Sequence, residues 1–122
     1  MAVSSKKINI WRGSEDNEHI EIFIPNLESP NTLYSFLYGD IQFSEASCKR
    51  WIAIVNEAQI DLNYFYDSFG NCCTTTITHQ GVTIENEYTK DIANDIKLDD
   101  MKIILEKWLE FVTTREPIEF SW

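Results

Sequence analysis

The chain predicts an α+β fold: an antiparallel sheet, made of an N-terminal hairpin and a C-proximal three-stranded meander, packed by a middle helix and a C-terminal amphipathic helix. Three observations carry that prediction. Extended, β-branched runs separated by turn residues fill positions 62–87. Apolar residues recur at helical spacing in two other stretches, 44–58 and 99–112. Hydrophobic residues make up 43% and aromatics 13% of 122 residues, enough for one real core in one domain spanning 1–122. The ends, 1–7 and 116–122, are expected to be loose.

The elements follow in order. Ile8, Ile10 and Trp11 open a short strand that stops at Gly13, and 20–24 is its antiparallel partner, closed by Pro25. A polar turn from Ser14 to His19 joins them, and 26–31 reads as a loop. Over 33–43, Leu33, Leu37, Ile41 and Phe43 alternate against Tyr34, Phe36 and Tyr38, which suggests a strand interrupted near Gly39; a helical turn over 31–38 is the competing reading. Ser44 then suits a helix N-cap, with Cys48, Trp51, Ile52, Val55 and Ala58 on the inner face and Lys49, Arg50, Asn56 and Glu57 outside. A strand over 51–55 is the alternative there.

The meander comes next. Leu62, Tyr64 and Tyr66 share one strand face, 67–71 forms a turn, 72–78 is extended, 79–81 turns again, and Val82, Ile84 and Asn86 oppose Thr83, Glu85 and Glu87. Positions 89–97 read as a polar connection. In the last helix Met101, Ile104, Leu105, Trp108 and Val112 form an apolar stripe, with Lys102, Glu106, Lys107 and Glu110 outside. Asp99 is its expected N-cap, Leu98 a staple onto Ile103, and Pro117 its stop. The alternating tail 118–122 either adds an edge strand or hangs free.

Composition excludes more than it assigns. Asp and Glu number 20 against 10 Lys and Arg, a formal net charge of -10. Phosphate contacts need cations, so direct nucleic-acid binding is disfavoured. No apolar run approaches the ~20 residues that span a bilayer. The first residues carry Lys6 and Lys7 with no apolar stretch behind them, so a secretory signal is not expected and the cytoplasm is the expected address. Cys48, Cys72 and Cys73 have no zinc spacing and read as reduced, half-buried small residues, with Cys72 and Cys73 directed to opposite faces of a strand. His79 reads as a solvent-exposed turn residue, and no nucleophile elbow or cysteine-protease signature accompanies it or His19. Asp91, Asp95, Asp99 and Asp100 lack the glycine and terminal glutamate of an EF-hand loop. The sequence therefore points to no catalytic residue, metal or cofactor, and to a binding protein in place of an enzyme.

The charge is clustered. From 14 to 28 there are five acids and no Lys or Arg; from 84 to 100 there are six acids against Lys90 and Lys97. Clustered carboxylates steer encounter with a basic partner, while edge protection and solubility are the ordinary alternative uses. Trp11, Phe23, Tyr64, Tyr66, Phe69 and Tyr88 interleave with these acids, and Phe69, beside Gly70, is the aromatic most expected to be exposed. The candidate binding residues are Glu15, Asp16, Glu18, Asp67, Phe69, Glu85, Glu87, Asp91 and Asp95.

The segment IKLDDMKIILEKWLEFV at 96–112, behind a helix and a meander, resembles the C-terminal helix of immunity proteins from bacterial polymorphic toxin systems, of which contact-dependent growth inhibition is one branch. The likeness spans 39–112 and lies in the order of elements. It implies a cytoplasmic antitoxin, monomeric or weakly dimeric, that neutralises a basic toxin domain, in many such systems a nuclease. Two other classes fit the composition: an acidic nucleic-acid mimic that blocks a defence nuclease or DNA-binding protein, and a small ligand-binding domain.

Overall fold

The computed structural model describes residues 7–12, 18–23, 30–116 and 118–121. Strands β1 (Lys7–Arg12) and β2 (Glu18–Phe23) pair antiparallel and are followed by a short helix α1 (Pro30–Ser35) that widens into a π-helix (Phe36–Ile41). Helix α2 (Glu45–Ile60), strands β3 (Phe65–Phe69), β4 (Cys73–Thr78), β5 (Gly81–Asn86) and β6 (Ile92–Ile96), helix α3 (Leu98–Thr114) and strand β7 (Ile118–Ser121) complete the chain. The α+β class is as predicted. The strands divide into two sheets, a three-stranded one in the order β2-β1-β7 and a four-stranded one in the order β3-β4-β5-β6.

The segment read as an interrupted strand is helical. Leu33, Phe36, Leu37 and Ile41 are all buried, a spacing of three and four that a strand would split between two faces. Pro30 suits the first helical position, where its missing N–H costs nothing. Gln42 ends the π-helix at φ 61° and donates its backbone N–H to the Leu37 carbonyl, 2.8 Å away.

Helix α2 begins where Ser44 predicts it, with the Ser44 hydroxyl accepting from the Ser47 N–H. Cys48, Trp51, Ile54, Val55 and Ala58 are buried; Ile54, not Ile52, completes the stripe. The α3 stripe is as predicted, with Phe111 added. Asp99 does not cap α3. Position 97 is the N-cap and makes no side-chain cap bond, while Asp99 accepts from Gln59 of α2 at 2.8 Å. That bond and one from Thr113 to Glu45 (2.9 Å) tie the two ends of the antiparallel α2–α3 pair. Between them Trp108 is fully buried, stacks on Phe43 at 5.8 Å, and donates its indole N–H to the Gln42 carbonyl at 2.8 Å.

Two strand boundaries differ from the sequence reading. Asp61 caps the end of α2 and accepts from the Asn63 N–H, so Leu62 belongs to a turn and is exposed. The expected connection 89–97 contains β6. Its inward residues Ala93 and Ile96 lie three apart, and a register shift against Val82 and Ile84 of β5 accommodates the extra residue; that irregularity hid the alternation. The tail takes the edge-strand alternative, pairing with β1. Among the described residues no helix is long and apolar enough to cross a membrane.

Candidate functional site

The four-stranded sheet has one face for the helices and one open face. Cys73, Thr75, Ile77, Val82, Ile84, Asn86, Ala93 and Ile96 are buried on the helix side. Strand alternation directs Phe65, Asp67 and Phe69, Thr74, Thr76 and Thr78, and Thr83 and Glu85 to the other side. Cross-strand register sets Phe69, Thr74, Glu85 and Ile92 in one row across all four strands, and Asp67, Thr76 and Thr83 in the next. This face carries exposed apolar side chains: Phe65 is 66%, Phe69 79% and Ile92 42% exposed.

One acid at the end of this face is held in place. Glu87, just past β5, accepts from the Thr74 hydroxyl at 2.6 Å and from Lys90 at 3.2 Å. The Thr74 hydrogen bond first, then that from Lys90, holds the Glu87 carboxyl below the usual range. The 87–91 connection is itself ordered. Asn86 accepts the N–H groups of Tyr88 and Thr89 on its side chain, and the Lys90 N–H bonds back to the Asn86 carbonyl at φ 65°. Tyr88, 78% exposed, donates its hydroxyl to the Asn71 carbonyl at 3.3 Å, joining this connection to the β3–β4 turn.

Of the residues singled out from the sequence, Asp67, Phe69 and Glu85 lie on the open face, and Glu87 and Asp91 flank its end. Asp67 and Phe69 belong to β3 and not to a turn: Phe69 pairs with Thr74, and the Gly70 N–H bonds the Cys73 carbonyl, so the reversal takes only 70–72. Glu18 begins β2 opposite Arg12, in the other sheet. Glu15 and Asp16, and the side chain of Asp95, lie outside the described residues. Phe65 was not singled out. Its signal was available: if Tyr64 and Tyr66 face inward, as their partial burial against the core shows, Phe65 must share the outward face with Asp67 and Phe69.

The other candidates behave differently from their sequence reading. His79 is half-buried, and its Nδ1 lies 2.8 Å from the Ala58 carbonyl, so the ring pins the β4–β5 turn to the end of α2. Cys72 lies in the turn before β4, which frees its side chain from strand alternation; its sulfur approaches that of Cys73 to 3.4 Å instead of facing away. Burial pushes the Cys48 thiol up to about 12 and raises those of Cys72 and Cys73 as well, which disfavours the thiolate that nucleophilic chemistry requires. All three are free thiols. No protein family, curated protein or solved structure matches the chain.

Proposed function

We propose that this protein is an immunity protein that binds and neutralises a cognate toxin domain, a basic nuclease, through the open face of its four-stranded sheet. The observation that carries the reading is the row of Phe69, Thr74, Glu85 and Ile92, with Asp67 and Glu87 beside it: carboxylates and exposed aromatics on one rigid platform. A nuclease cleft is cationic because it holds phosphates. Carboxylates fixed at strand spacing occupy the positions of those phosphates, and Phe65, Phe69 and Tyr88 supply the apolar anchors that charge alone lacks.

Size sets a requirement on the complex. Four strands of about five residues cover roughly 19 by 17 Å, or about 300 Å², whereas a stable interface takes about 800 Å² from each partner. The 87–91 connection and the β3 edge must therefore join the contact, and both carry exposed side chains. Catalysis has no part in this reading.

Co-expression with the C-terminal domain encoded immediately upstream tests it. The expected result is a co-purifying complex and rescue of growth in cells making that domain. Absence of both, with the two proteins folded and present, contradicts the proposal. A gene that lies in a phage or mobile element, with no toxin gene upstream, would favour a nucleic-acid mimic instead.

A further inference from the structure

The π-helix and the β3–β4 turn meet at a corner that the open face does not use. Asp40 comes from the π-helix, and Cys72 and Cys73 from the end of the turn and the start of β4. One carboxylate oxygen and the two sulfurs all lie within 4.8 Å of one another. The sulfurs are 3.4 Å apart. Two thiolates at about 2.3 Å from one tetrahedral zinc ion stand about 3.8 Å apart, so only a few tenths of an ångström of adjustment separates this pair from a chelating one.

The surroundings hold these donors toward one another. Asp40 Oδ1 accepts the Cys72 backbone N–H at 2.8 Å, which orients the carboxylate. Gly70 makes room for that carboxylate, since a Cβ there would collide with it. Asn71 donates to the Gly39 carbonyl at 3.1 Å, fastening the turn to the π-helix a second time. Cys73 is buried, while Asp40 and Cys72 are half-buried, so the corner is closed on the core side and open toward solvent.

We propose that Asp40, Cys72 and Cys73 form a binding site for a thiophilic divalent cation of the zinc class, with the fourth position open to water. Two sulfurs and one carboxylate suit a d¹⁰ ion of borderline softness better than calcium or magnesium, which prefer all-oxygen shells. Binding is a proton exchange with no change of oxidation state. The cation replaces the two thiol protons, which pass to solvent, and the Cys72 S–H bond to the Ser35 carbonyl is given up for the metal–sulfur bond. The ion then bridges positions 32 residues apart, locking the π-helix onto the turn. Cys72 also accepts the Glu87 N–H on its carbonyl at 2.8 Å, so the lock reaches the end of the acidic face.

The test is a titration of the reduced, folded protein with cadmium ion, read by thiolate-to-cadmium charge-transfer absorption, with zinc as competitor. We expect a band saturating at one equivalent, displaced by zinc, and protection of two of the three thiols from a thiol reagent. Cys72→Ala should abolish the band, Asp40→Asn, which removes a direct ligand, should weaken affinity by more than the roughly 10- to 100-fold that loss of a ligand's supporting partner costs, and Cys48→Ala should leave the band unchanged, each with its fold checked by circular dichroism. Absence of the band in the folded wild-type protein overturns the proposal without recourse to any variant. So does a band that survives Cys72→Ala, or one unaffected by Asp40→Asn. Failure to bind metal combined with loss of two hydrogens between Cys72 and Cys73 on mild oxidation would replace the metal site with a redox pair.

Discussion

Glu87 shows how one exposed carboxylate is set by its neighbours. The Thr74 hydroxyl and Lys90 both favour its ionised form, so its folded pKa lies below the ordinary carboxylate value. The sign follows: any stability it lends is present above the unfolded pKa and is lost as pH falls through the lowered folded one. Exposure to solvent keeps that contribution small. Thr74→Val should raise the Glu87 pKa toward its ordinary value, as followed by carboxyl chemical shifts across an NMR pH titration. Trp108 is the opposite kind of residue, fully buried with a satisfied indole N–H. Trp108→Ala should cost about 3–5 kcal/mol, measured by urea unfolding. The Trp108 stripe was legible in the sequence because a helix repeats its apolar face several times. Asp40 was not, since its partner Cys72 lies 32 residues away and nothing local marks the pair.

At the scale of elements, legibility follows regularity. Helix α3 has a long stripe, and β4 and β5 alternate without interruption, so their patterns are unambiguous, whereas the apolar run 51–55 within α2 also admits a strand. The failures are elements that break their own period. Strand β6 contains a register shift that puts two inward residues three apart. The α1–π-helix segment changes from one helical pitch to another within twelve residues, and a four-residue spacing of Leu33, Leu37 and Ile41 satisfies a period of two as well as one near four. The start of α3 was misplaced for a different reason: Asp99 looks like a cap but serves α2 through Gln59. Position 97 therefore carries a lysine with no cap bond at the positive end of the helix dipole. Lys97→Ser should stabilise the fold by about 0.5–1 kcal/mol, visible as a rise in Tm.

For the whole molecule, the division into two sheets matters more than the net charge. The sequence places its acids in two blocks, yet among the described residues Glu18 and Glu21 belong to the β2-β1-β7 sheet, Glu85 to the four-stranded sheet with Glu87 and Asp91 beside it, and Asp99 and Asp100 to α3. The acids of the four-stranded sheet stand beside the exposed Phe69 and Tyr88, and Asp67 and Phe69 reach them through strand pairing that no local pattern reveals. The proposed binding surface is thus a tertiary product, built from β3 and β5 on either side of a threonine-rich strand. The most direct test of that surface is the association rate with the domain proposed as its partner, the one encoded immediately upstream, measured by stopped flow at low and at high salt. Glu85→Lys with Glu87→Lys should slow association by about tenfold or more at low salt, far less at high salt, with Tm unchanged. Equal rates for the reversed and native proteins at low salt would contradict the account.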